Sequence, residues 1–202
     1  MRLDAEDRTQ LTSALKQAAR DHASAVLLRV DGDAWAHRTL RDDAVDAAAI
    51  SAGPHALIRA VETATFSVVV HARGKISELG LALFLAADVR ILDRDATLAF
   101  DASVPHSLFV AGLPAVIRHL CLPAEDLLWT GRTLNAGEAT ARGLVSEVGD
   151  LDRAEELVAR LGSIPATTSA LRRALRADRA AGLAERLEYD AWLAVATGSD
   201  DE

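Results

Sequence analysis

The sequence of 202 residues has little of what usually announces a function. It holds one cysteine, Cys121, which excludes an intramolecular disulfide and a cysteine-ligated metal cluster. A lone thiol of this kind is expected to be a small buried residue. Aromatic residues make up 4% of the chain, and Trp35, Trp129 and Trp192 are expected to serve packing. Nowhere do apolar residues run to the roughly 18 in succession that cross a bilayer. The opening MRLDAEDRTQ is polar and lacks the apolar segment of a secretory leader. The chain therefore reads as soluble and cytoplasmic, with no membrane partner. Lys and Arg number 22 against 30 Asp and Glu, for a net charge of −8. Nucleic-acid surfaces depend on clustered Lys and Arg, so no nucleic-acid partner is expected. A phosphate-bearing small ligand needs only a local basic pocket and stays open. There is no glycine–lysine phosphate loop, no GxGxxG, no G-x-S-x-G elbow and no HExxH. His22, His37, His55, His71, His106 and His119 are scattered without ligand spacing, so no metal is expected.

What is present is a core. Half the residues are hydrophobic and 26% are charged, which suits one ordinary domain and argues against disorder. Asp4 to His22 places Leu11, Leu15 and Ala18 at helical spacing, with Asp4 as its N-cap. SAVLLRVDG reads as a buried strand closed by Asp31-Gly32, and Gly32 to Gly53 as a loop with weak helix. Pro54 opens a helix to Thr63 with Leu57, Ile58 and Val61 on one face. FSVVVHA is a β-branched strand, Ser77 to Ala87 a helix, and VRIL and ATLAF two more short strands. From Leu113 the chain reads as mostly helical. Asn135 with Glu138 forms a capping pair, Gly143 stops a helix, and Gly162 and Pro165 precede a last helical segment from about Thr167 to Val195. Strand–helix alternation implies an α/β fold with a parallel or mixed sheet. Residues 1–150 form its core, and 151–202 a helical region of the same domain.

One stretch carries chemistry. In GKISELGLALFLAADVRIL, a glycine turn leads into a solidly apolar helix with a carboxylate, Glu78, at its start. Helix starts present free N–H groups and a positive dipole end, which suit anions. This stretch resembles the signature of the crotonase superfamily, the enoyl-CoA hydratase/isomerase family. Gly74, Gly80, Leu83, Leu85, Asp88, Arg90 and Ile91 match it without a gap. Downstream, LLWTGRTLNAGEATARGLVSEV is similar to a second family pattern through Thr130, Gly131, Arg132, Ala136, Glu138, Ala139, Gly143, Leu144 and Val145. The resemblance runs from about Ala5 to Ala194.

The resemblance implies a ClpP/crotonase spiral of βαβ units and an acyl-CoA ligand, with coenzyme A part of the substrate and no separate cofactor. It implies a homotrimer or hexamer, for which Leu171, Leu175, Leu183, Leu187 and Trp192 offer a helical stripe. Family members hold the thioester oxygen with two backbone N–H groups as an enolate forms. Here these fall on Leu79 and, in the loop after the first strand, on His37 or Arg38; Gly74 and Gly80 would line the substrate. A leucine in the glycine triplet narrows the approach. The two family glutamates that activate water fall on Ala82 and Ala102, which cannot move a proton. Glu78, Asp101 and His106 lie beside the lost positions and are the candidate replacements. Their bland readings are a first-turn carboxylate, a turn residue before Pro105 and a loop histidine. His71 is expected to be a satisfied core group, and Asp88 and Arg90 structural. The family's first hairpin is expected to be absent before Asp4. Two functions stay open. One is an enzyme that hydrates, dehydrates, isomerises or cleaves an acyl-CoA. The other is a reduced accessory crotonase of secondary metabolism, assisting a polyketide-type partner synthase that makes dihydroxyphenylacetyl-CoA.

Overall fold

The computed structural model describes residues 2–4, 8–32, 47–100, 105–163 and, toward the C-terminus, 182, 187, 188, 191, 192 and 195. Among them a five-stranded sheet forms the frame. Its strands are β1 (Arg2–Asp4), β2 (Ala25–Asp31), β3 (Ser67–Arg73), β5 (Val89–Leu92) and β8 (Glu147–Val148), in the spatial order β1-β2-β3-β5-β8. Every pairing in it is parallel. A smaller sheet joins β4 (Lys75–Ile76), β6 (Thr97–Ala99) and β7 (Thr133–Asn135), with β4 parallel and β7 antiparallel to β6.

Parallel neighbours need crossover helices, and these cover both faces of the large sheet. On one face Val26, Leu28 and Val30 of β2 and Val68, Val70 and Ala72 of β3 enter the principal core. They meet α1 (Arg8–Arg20) through Leu11, Leu15 and Ala18, and α3 (Pro54–Glu62) through Leu57, Ile58 and Val61. On the other face Leu27, Val69 and Ile91 pack under α9 (Leu151–Gly162), with Ala154, Leu157 and Val158. Strand residues alternate between faces, so each buried strand reads as a continuous apolar run. The remaining helices are α2 (Ala47–Ala52), α4 (Glu78–Ala86), α5 (Pro105–Val110), α6 (Leu113–His119), α7 (Glu125–Thr130) and α8 (Ala136–Ala141).

The expected strands and the helices around 54–63 and 77–87 are found. Asp4 is not a helix cap; it ends the edge strand β1, and α1 starts four residues later at Arg8. Two strands, β7 and β8, interrupt the region expected to be mostly helical. Each is two or three residues long and takes its register from a partner far off in sequence. Local periodicity cannot reveal such strands. Cys121 is exposed, not buried, in a left-handed turn (φ +50°) just past the end of α6. Trp129 and Trp192 are not core residues either, being 84% and 59% exposed. Of the expected C-terminal stripe, Leu187 is buried while Trp192 faces out. Leu171, Leu175, Leu183 and Trp35 lie outside the described residues.

Candidate functional site

The central strand β3 delivers the chain to the site. At its end Gly74 takes a left-handed conformation (φ +74°), and its carbonyl accepts a hydrogen bond from Thr97 N–H at 3.0 Å. The short β4 follows, then Ser77 in extended conformation (φ −140°, ψ 170°). Glu78 then adopts φ +48° and α4 begins. A left-handed backbone suits glycine and strains any other residue by roughly 1 kcal/mol or more. The resemblance puts the first position of the family's glycine triplet at this residue.

Ser77 makes no side-chain cap bond, and the first helical bond among the turn residues runs from Leu81 N–H to the Ser77 carbonyl at 3.1 Å. The N–H groups of Leu79 and Gly80 stand in the first turn, among those a helix leaves without an intrahelical carbonyl. The helix dipole adds partial positive charge at the same end. Every residue from Leu79 to Ala86 is buried, so α4 is held on all sides and its start is rigidly placed. The Leu79 side chain is 1% exposed and packs in the principal core. Ala82, one turn further on, is buried.

The frame around this turn accounts for the acidic and basic residues that follow α4. Asp88 accepts a hydrogen bond from Val68 N–H at 2.7 Å and so ties the end of α4 to the start of β3. Arg90 donates to the Leu85 carbonyl at 3.3 Å and the Gly143 carbonyl at 3.4 Å. It satisfies carbonyls at two helix ends, and its burial lowers its pKa. Both residues are braces, as expected.

Glu78, Leu79 and Gly80 share the turn that opens α4, and Gly74 lies at the turn before β4. His106 lies in α5, which packs against α4, but its side chain falls outside the described residues. His37, Arg38, Asp101 and Ala102 also lie outside them. His71 is buried under α9, on the sheet face away from α4. Its Nε2 has no hydrogen bond and stands 4.0 Å from Asp93. Burial, the largest effect, pushes its pKa down.

One polar group near the site escaped the sequence reading. His55, on α3, is fully buried, and its Nε2 lies 3.0 Å from the Phe109 carbonyl at the end of α5. A carbonyl can only accept, so Nε2 carries the hydrogen. Burial lowers the His55 pKa from 6.5 to about 4, so the ring is neutral near pH 7. Its spacing to Ile58 marks it as core-facing, but its partner is 54 residues away and no local pattern names it.

Comparison with known proteins places this arrangement. The family model described as enoyl-CoA hydratase/isomerase matches residues 2–202. An enoyl-CoA hydratase structure from Bacillus halodurans superposes with a TM-score of 0.75 at 19% identity, over 96% of this chain and 85% of that one. ThnE from S. clavuligerus gives 0.72 at 22% identity, over 94% and 93%. An enoyl-CoA hydratase/isomerase from Mycobacterium paratuberculosis gives 0.72 at 22% identity, over 92% and 81%. At these identities the superpositions establish the fold. No curated protein matches the chain.

Proposed function

The chain belongs to the enoyl-CoA hydratase/isomerase family, the crotonase superfamily, and from that premise we propose that it binds an acyl-CoA thioester at the start of α4. The observation that carries this reading is the left-handed backbone of Glu78 followed by the first turn of a helix buried from Leu79 to Ala86. The thioester oxygen accepts from Leu79 N–H, with a second donor from the loop containing His37 and Arg38. Removal of an α-proton leaves an electron pair that delocalises onto that oxygen. Fixed N–H dipoles in a dry site stabilise the enolate without reorganising. Proton transfer falls to Glu78, Asp101 or His106, since Ala82 and Ala102 stand where the family's glutamates would be. Gly74 and Gly80 line the approach.

Ordinary hydratase chemistry is expected to be slow. Positioned acid–base groups contribute roughly 10²–10⁴-fold. With two of them replaced, hydration of crotonyl-CoA should run at least about a thousandfold below a complete family member. Steady-state hydration of crotonyl-CoA by the purified protein is the test, and a rate comparable with a complete enzyme would sink this reading. Glu78→Gln then separates roles. It should abolish any acyl-CoA activity if Glu78 carries the proton, and leave activity intact if Glu78 only complements the helix dipole.

A second reading draws on the surface. Trp129 stands 84% exposed on α7, and an exposed tryptophan suits a protein–protein contact. On this reading the chain is a reduced crotonase that assists a partner synthase of dihydroxyphenylacetyl-CoA. Rate enhancement of that synthase by this protein, lost in Trp129→Ala, supports it; no enhancement at equimolar protein excludes it.

A further inference from the structure

Gly32, the residue after β2, is buried against the backbone of β4. A Cβ built on it would stand 1.9 Å from the Lys75 carbonyl oxygen, 2.4 Å from the carbonyl carbon and 2.8 Å from the Lys75 nitrogen. Real Cβ atoms do not come so close, and every atom met is main chain, which cannot swing aside as a side chain can. The φ of Gly32 lies outside the left-handed region, unlike that of Gly74, so its conformation does not call for glycine. The close approach alone does. Neighbouring contacts hold the same place. Asp31 and Arg73 face each other in the β2–β3 register, and the Asp31 carboxylate accepts from Arg73 Nε at 2.8 Å. Lys75 pairs with Thr97 of β6, and the Thr97 N–H donates to the Gly74 carbonyl at 3.0 Å. The Lys75 peptide is thus fixed by Gly32 and by β6.

From Lys75 the chain reaches Glu78 through two residues that cannot absorb a shift. Ile76 is a strand residue whose side chain is fully buried in the principal core. Ser77 is extended (φ −140°, ψ 170°), and its carbonyl accepts from Leu81 N–H at 3.1 Å. An extended chain holds no length in reserve, and a close-packed side chain does not slide. Next comes Glu78, the strained residue, at φ +48°. We infer that Gly32 is a positioning residue: by letting the end of β2 seat directly on the Lys75 peptide, it holds the left-handed turn at Glu78 and so the direction of the Leu79 N–H. A Cβ at position 32 displaces the Lys75 peptide, and the displacement is passed to Glu78. This rests on the acyl-CoA reading above, in which the Leu79 N–H polarises the thioester carbonyl. A hydrogen bond weakens steeply as its angle closes, so a modest rotation of the turn removes the polarisation and leaves the ligand's other contacts in place.

Two measurements on the full chain test this. The first needs no ligand. Gly32→Ala should lower the urea midpoint of the wild-type background at least about twice as far as that of Glu78→Gly, because a glycine there yields to the displaced peptide. Should Gly32→Ala alone fail to fold by circular dichroism, adding Glu78→Gly should restore folding. Equal losses in both backgrounds, or no restoration, overturn the inference. The second reads the turn itself, with butyryl-CoA carrying ¹³C at the thioester carbon; its saturated chain has no double bond to hydrate. Bound to wild type, that carbon should resonate downfield of its free position. Bound to Gly32→Ala, it should return at least about halfway, with the calorimetric Kd within about fivefold of wild type. A carbon equally displaced in both proteins overturns the inference. So does loss of binding by a folded Gly32→Ala, since the glycine then shapes the binding surface and not the turn. A wild type that binds with its carbon unmoved leaves acyl-CoA binding standing and removes the inference. A wild type that binds no CoA thioester instead overturns the acyl-CoA reading, and the inference with it.

Discussion

Glu78 combines a backbone that suits glycine with a side chain that suits a helix start. Its φ of +48° strains the residue, while its carboxylate lies in the first turn of α4, where negative charge is favoured. The two effects can be separated. Glu78→Ala and Glu78→Gly both remove the charge, but only glycine relaxes the backbone. Urea denaturation should therefore find Glu78→Gly more stable than Glu78→Ala by about 1 kcal/mol, the reverse of the ordinary order in helices. His55 gives a second measurable effect. Burial is the main cause of its lowered pKa, with Arg59 on the same helix adding repulsion; the α5, Gly112 and Leu187 contacts bring carbonyls and apolar groups. The unfolded chain takes a proton at this position near pH 6.5, and the folded chain resists until about pH 4. In that window the unfolded state binds more protons, so stability is fully present above it and falls as pH drops through it. The loss reaches on the order of 3 kcal/mol. Denaturation midpoints at several pH values should show this slope in wild type and a flatter one in His55→Gln.

At the scale of elements, helix ends are handled by different means. Asn135 and Glu138 form a reciprocal capping box on α8, with bonds of 2.9 Å and 3.0 Å. Asn135→Ala should lower stability by about 1 kcal/mol in a chemical melt. Asp150 caps α9 through the Arg153 N–H at 3.0 Å. The ends of α3 and α6 meet in the core, where His119 Nε2 approaches Glu62 Oε1 at 3.5 Å with both side chains buried. Glu62→Leu leaves the imidazole without its carboxylate and should lose about 3 kcal/mol. The double variant Glu62→Leu/His119→Leu should lose clearly less than the two single losses added together. Additive losses would show that the pair is not coupled.

The whole molecule presents a divided C-terminal region. Leu187 and Ala191 face inward, while Trp192 and Val195 are exposed. Exposed apolar residues suit an interface between copies. We propose the homotrimer or hexamer that the family resemblance implies, and light scattering at tens of micromolar should give a mass several times the 21.4 kDa of the chain. Trp192→Glu should shift that mass down. A wild-type monomer under the same conditions would remove this proposal. No helix among the described residues is long and apolar enough to cross a membrane.

Periodicity and turn chemistry by themselves determined much of this protein. The alternation of β-branched runs with helices, the Pro54 start, the Asn135 box and the Gly143 stop all depend on neighbours within a few residues, and all appear as read. The glycine turn and the helix at Glu78 were legible for the same reason, and the two motifs around them named the family. Tertiary structure decided the rest. The strands β7 and β8 exist because Thr97 and Ile91 lie beside them, not because of their own residues. Trp129 faces solvent because no neighbour among the described residues covers its face of α7, which hydrophobicity cannot foretell. The left-handed Glu78 was hidden because its side chain argues for an ordinary helix start. His55 acquires its meaning only when folding brings Phe109, far along the chain, to its Nε2. Local signals record what each residue prefers; burial and long-range pairing decide which preferences are met.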